Sequence, residues 1–107
     1  MKPSEILIAA KALIPTEREW EHQSIYGMGT RDGVNTRCPS NAILDLAPPD
    51  AAVDSYADEA WARAHDYYSQ AVGGGSIGDW NDAPGRTFAE VHAAFDLAAD
   101  MAMVNGE

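Results

Sequence analysis

Metal binding or nucleophilic catalysis needs imidazoles, thiols and carboxylates at spacings that one fold can gather, and this chain offers few of them. Its nitrogen and sulfur ligands are His22, His65, His92 and Cys38. There is no C-x-x-C or H-E-x-x-H; His92 and Asp96, one helical turn apart, supply half of what a closed zinc site takes. No metal or other cofactor is expected. Cys38 follows Arg37 just ahead of a helix start, a setting that favours the thiolate. Nothing in the sequence sets a histidine beside it, so a packing role is the reading. Gly73–Gly75 lacks the lysine and Ser/Thr of a phosphate-binding loop, and no nucleophile elbow is present. No catalytic residue is assigned, and an enzyme is the less favoured reading.

The densest chemistry lies in Trp80-Asn81-Asp82-Ala83-Pro84-Gly85-Arg86-Thr87. A tryptophan face beside an amide, a carboxylate and a guanidinium can bind a small polar ligand, and the helix that follows turns its positive end to an anion. Trp80, Asn81, Asp82 and Arg86 are therefore candidate binding residues. Each also has a structural use. Asn81 and Asp82 can fold onto nearby backbone amides, Pro84-Gly85 suits the centre of a type II turn, and Arg86 can pair with Asp79, Asp82 or Glu90. The structural use is favoured, and it predicts that Asp82→Ala lowers thermal stability. An unchanged melting temperature with lost binding would favour a ligand site.

A second candidate is an acidic face, Asp50, Asp54, Asp58 and Glu59, set beside Trp61 and Tyr67. Seven Lys+Arg against seventeen Asp+Glu give a formal charge of −10. That charge repels phosphate backbones and anionic lipids, so direct nucleic-acid and membrane binding are disfavoured. It favours encounter with a basic protein surface, and an acidic helix can imitate a phosphate row. Solubility is the plainer reading.

These residues need elements to position them. Ile6, Leu7, Ala10, Leu13 and Ile14 recur at helical spacing, predicting a helix over 4–14 capped by Ser4 and stopped by Pro15. Turn residues around extended pieces near 22–26 and 34–37 predict a hairpin within 22–37. A short helix over 40–47, capped by Ser40, ends before Pro48-Pro49. Val53, Ala57, Ala60, Trp61, Ala64, Tyr68 and Ala71 predict the longest helix, 50–71, which Gly73-Gly74-Gly75 terminates. Thr87-Phe88-Ala89-Glu90 is a capping box opening a helix over 87–102, with Asn105-Gly106-Glu107 expected to fray. The fold class is mainly α: about four helices with a small irregular or β-hairpin element between the first and second. The first, long and last helices should form the core, with Trp20, Trp61, Trp80, Phe88, Val91 and Phe95 dominating its burial.

The 107 residues suit one domain, 1–107, large enough for a modest core without staples. A lone cysteine fits a reducing compartment, the opening residues make a poor signal peptide, and no apolar run approaches a membrane span. A cytoplasmic protein is expected.

Trp80-Asn81-Asp82-x-Pro84-Gly85-Arg86-Thr87 followed by Glu90-Val91 is similar to the C-terminal signature of a bacterial and phage family, domain of unknown function 6197. Ala12-Leu13-Ile14, the segment from Trp20 to Tyr26, and Cys38 followed by Ala42-Ile43 stand in that family's order. The chain has Glu19-Trp20 and Asn41-Ala42 where the family typically has Gly-Trp and Gly-Ala. The resemblance implies a shared fold and a phage or bacterial origin, with no reaction attached. Three functions follow in order: a non-enzymatic accessory protein binding an unidentified protein partner, an acidic mimic of nucleic acid inhibiting a host protein, and a ligand binder or enzyme built on Trp80, Asn81, Asp82 and Arg86. The sequence leaves the oligomeric state open.

Overall fold

The computed structural model describes residues 1–24, 27–47 and 59–107. Helix α1 runs Pro3–Ala12, with Pro3 in its first turn, where a missing N–H costs nothing, and the Lys2 amide donating to Glu5 Oε1 at 2.8 Å. Ser4 does not cap it. The Ser4 amide and hydroxyl both donate to the Glu107 carbonyl, at 3.1 and 3.0 Å.

Strands β1 (Met28–Arg31) and β2 (Val34–Arg37) form an antiparallel hairpin between α1 and the next helix, as expected, but its first strand lies later than 22–26. The turn decides this. Asp32 and Gly33 have φ of +52° and +78°, the signature of a two-residue type I′ turn, which pairs Arg31 with Val34 and sets the register for every residue beyond. The segment from Trp20 instead lies alongside β2, its Glu21 amide donating to the Arg37 carbonyl at 3.0 Å.

Helix α2 is Pro39–Leu44, with Cys38, not Ser40, at its N-cap. Pro39 is favourable in the first turn, and the Ser40 hydroxyl is engaged elsewhere, on His65. Helix α3 is Ala60–Ala71; Glu59 before it has extended backbone, so no continuous helix spans 50–71. The helix begins where Trp61, Ala64 and Tyr68 start to pack, which supplies stability that propensity alone does not. The expected Pro48-Pro49 stop and the face positions Asp50, Asp54 and Asp58 lie outside the described residues. The glycines end α3 as anticipated: Gly73, φ +101°, and Gly74 donate to the carbonyls of Gln70 and Ser69 at 3.1 and 2.7 Å, a Schellman closure.

Helix α4, Ile77–Asp82, adds a fifth helix among the described residues and takes in the first three residues of the expected loop. Its cue was Ser76, whose hydroxyl accepts from the Asp79 amide at 3.2 Å. The last helix, α5 (Phe88–Val104), starts at Thr87 with the reciprocal cap: Thr87 Oγ1 accepts from the Glu90 amide at 3.2 Å and the Thr87 amide donates to Glu90 Oε1 at 2.9 Å. Its end does not fray. Gly106, φ +76°, permits a second Schellman closure, with Glu107 N–H on the Ala102 carbonyl at 2.8 Å and Gly106 N–H on Met103 at 2.9 Å. The Glu107 side chain then ties to Arg63 at 2.6 Å and to the Tyr67 hydroxyl at 2.7 Å.

Helices α1, α3 and α5 pack on one another, as expected. The largest fully buried side chains include Tyr68, Phe95, Leu7, Ile14, Ile43 and Val91. Trp20 joins this interior, while Trp61, Trp80 and Phe88 are half-buried at its edge. Tyr68 displaces them from the centre because its hydroxyl finds the Val91 carbonyl at 3.1 Å, so the whole ring can be buried without an orphaned polar atom.

Candidate functional site

The four candidate binding residues sit on one elbow and point three ways. Asn81 points inward and is wholly buried. Its Oδ1 accepts from Trp20 Nε1 at 2.7 Å, and its Nδ2 donates to the Glu21 carbonyl at 2.9 Å and to Asp82 Oδ1 at 3.0 Å. Asp82 Oδ1 also accepts the Gln23 amide at 2.7 Å. Both side chains thus clamp residues 20–23, about sixty positions earlier. Local folding onto nearby amides is not what they do; Gln23, at φ +62°, presents its N–H to Asp82 instead. Around this clamp Trp20 stacks on His22, ring centroids 4.7 Å apart, and His22 Nε2 donates to the Ala83 carbonyl at 3.3 Å.

The turn follows the sequence. Gly85 has φ +83° and the Arg86 amide donates to the Ala83 carbonyl at 3.1 Å, as a type II turn requires. Arg86 chooses Glu90 among its possible partners, at 3.0 Å, also donates to the Trp80 carbonyl at 2.9 Å, and lays its guanidinium 4.0 Å over the Trp80 ring. Backbone and side-chain hydrogen bonds from Thr87, with Arg86 nearby, hold the Glu90 carboxyl below its usual value.

Trp80 and Arg86 face a groove between α3 and α5 of about 330 Å³, whose apolar walls are Ala71, Val72, Trp80, Ala93, Ala94 and Leu97. Leu97 is 49% exposed there. On the other side of the elbow Asp82 lines a polar cleft of about 500 Å³ with Ser24, Ser40, Asn41, Ser76 and Asp79. Gly27 and Cys38 form part of its wall. A Cβ at Gly27, φ +65°, would stand 2.6 Å from Asn41 Nδ2 and 2.9 Å from Cys38 Sγ, so only glycine fits this approach. This cleft was not anticipated, because its residues come from three separated stretches and none is unusual alone.

The remaining titratable groups serve the fold. Burial pushes the Cys38 thiol up, against the thiolate that Arg37 suggested; Arg37 pairs with Asp45 instead. Burial lowers the His65 imidazole, which shares a hydrogen bond of 2.8 Å with the Ser40 hydroxyl. His92 donates to the Ile14 carbonyl at 2.5 Å. Among the described residues no three His, Cys, Asp or Glu side chains gather as a metal site would need, and no helix is long and apolar enough to cross a membrane. Of the acidic face, Glu59 is described, half-buried at the start of α3.

A family model described as "Family of unknown function (DUF6197)" matches residues 1–101, and the chain belongs to that family. No curated protein and no solved structure matches the chain.

Proposed function

We propose that this member of a family of unknown function, of bacterial or phage origin, is a non-enzymatic accessory protein that works by binding a protein partner. The groove beside Trp80 and Leu97 carries the reading. Connected apolar surface rimmed by charge is a common mark of protein contact, and covering a leucine contributes about 2 kcal/mol. The candidate reactive groups favour it too, since Cys38, His22, His65 and His92 are each occupied by packing or hydrogen bonding. Capture from a bacterial lysate by the wild-type chain and by Leu97→Asp, compared by mass spectrometry, tests this. Proteins lost with the variant at unchanged melting temperature are expected; identical captures would count against the reading.

A small-ligand reading is favoured by one observation, the polar cleft, whose volume suits a small molecule. A thermal-shift screen of amines and polyols against wild type and Asp79→Asn would test it, with stabilisation lost in the variant as the expected result. Nucleic-acid mimicry rests on Asp50, Asp54, Asp58 and Glu59; partner capture that does not weaken with salt would count against it.

A further inference from the structure

We propose that the polar cleft between α2 and α4 binds a small, non-aromatic polyol that carries an ammonium group. This rests on the small-ligand reading of the cleft and names the ligand's chemistry. It leaves the protein-binding reading standing, since the Trp80 groove lies on the other side of the elbow. The cleft holds about 500 Å³, inside the range of about 300–1,000 Å³ typical of small-molecule sites. Asp79 and Asp82, three residues apart on α4, share one side of that helix and both line the cleft. Ser76 at the cap of α4, Ser40 and Asn41 on α2, which packs against α4, and Ser24 after the clamped segment supply hydroxyls and a carboxamide.

What the chain leaves uncompensated selects the ligand. All seven Lys and Arg side chains belong to described residues, and none lines the cleft. The four that form ion pairs, Lys11, Arg37, Arg63 and Arg86, do so with Asp96, Asp45, Glu107 and Glu90. Asp79 and Asp82 are thus left without a counter-charge. Asp82 is half-buried, and the Gln23 and Asn81 amides that reach its Oδ1 are neutral donors, which hold the charge in place without cancelling it. Burial, joined by this charge, pushes the Cys38 thiol on the cleft wall up. A carboxylate drawn out of water and left unpaired is unfavourable, and an ammonium group seated against the two carboxylates relieves it. The hydroxyls and the carboxamide both donate and accept, which a polyol answers. Among the described residues no aromatic ring lines the cleft, so a flat aromatic ligand has nothing to stack on.

The test is a two-dimensional NMR titration of the isotope-labelled full chain with glucosamine and, in parallel, with glucose, propylamine and glucuronate. Glucosamine should shift the amides of Ser24, Ser40, Asn41, Ser76 and Asp79, and the other three should bind at least about tenfold more weakly. Asp79→Asn, an isosteric change at an exposed position, should weaken glucosamine about tenfold. Gly78→Lys should abolish its binding, whereas Gly78→Gln should weaken it less. A Cβ added at Gly78 meets Ser76 Oγ at 3.6 Å, an ordinary contact, so the fold should tolerate both variants. Shifts scattered over the acidic surface, propylamine binding as tightly as glucosamine, or indifference to Asp79→Asn would overturn the proposal and leave only attraction to net charge. Glucose or glucuronate taking the same residues in preference to glucosamine would overturn the ammonium group and keep the small-ligand reading. No shift at the cleft with any of the four would overturn both, while lysate capture through Leu97 would still carry the protein-binding reading.

Discussion

Asn81 and Leu97 lie on either side of the same elbow and depart from the usual distribution of residues in opposite directions. The amide is wholly buried, whereas the leucine is half exposed. A wholly buried amide demands partners, whereas an exposed leucine gains meaning only as part of a connected apolar surface such as the groove it lines. Asn81 is explained within the chain: its oxygen meets Trp20, its nitrogen meets Glu21 and Asp82, and its burial leaves no polar atom orphaned. Leu97 stays half exposed among the described residues, because α5 already buries a complete apolar side without it. The contrast separates a latch that serves folding from a surface that the described residues leave open.

The largest expected effect tests the latch. Asn81→Ala leaves Trp20 Nε1 and the Glu21 carbonyl without partners and opens a void, and should cost about 3 kcal/mol in denaturant unfolding. A loss below about 1 kcal/mol would mean that water replaces the amide and that residues 20–23 are only lightly held. Thr87→Ala removes one half of a capping box and should cost about 1 kcal/mol by the same measurement. An unchanged value would show that packing alone fixes the start of α5.

The tie at Glu107 should appear as a pH effect. Hydrogen bonds from Tyr67 and Arg63 hold its carboxyl below its usual value, so it binds protons less readily folded than unfolded. Its contribution is therefore present in full above the unfolded-state value and is lost as pH falls through the lowered folded-state value. The stability gap between wild type and Glu107→Gln should shrink on acidification through that window. A gap constant with pH would show that the ion pair is not what closes the end of α5. The smallest expected change is at the groove that Leu97 lines. Leu97→Asp should alter stability by no more than about 0.5 kcal/mol, because the described residues leave the leucine half exposed, while on the protein-binding reading it should reduce capture from lysate. A large loss of stability would make Leu97 a core residue and erase the contrast.

Much of this architecture was legible because it follows from nearest neighbours. The Thr87–Glu90 box, the type II turn at Pro84-Gly85, the type I′ turn at Asp32-Gly33 and the stop at Gly73–Gly75 are each set within four residues. The hairpin's place was harder to see, since Gly27 and Gly29 dilute the strand pattern that the turn then imposes on Met28–Arg31. Helix α4 was hidden because Gly78, Asn81 and Asp82 are weak helix formers, and its cap at Ser76 follows glycines that read as loop. The frayed ending was wrong for a related reason. Asn105-Gly106 is polar and flexible on its own, and becomes fixed only when Glu107 meets Ser4, Arg63 and Tyr67.

What the sequence determined by itself is the helical class, the turns at Asp32-Gly33, Gly73–Gly75 and Pro84-Gly85, the cap at Thr87, and the charge, because these depend on residue type and on spacing of one or two turns. What only the tertiary structure decided is direction. Trp80, Asn81, Asp82 and Arg86 are adjacent in the chain, yet one pair faces a groove, one residue an interior and one a polar cleft. Their partners are about sixty positions away, or on a helix beyond the turn, and no local rule specifies which hydrogen-bond acceptor a distant segment will bring. Hydrogen bonding to those distant groups, which exist together only once the chain has closed, is what turns one motif into three surfaces.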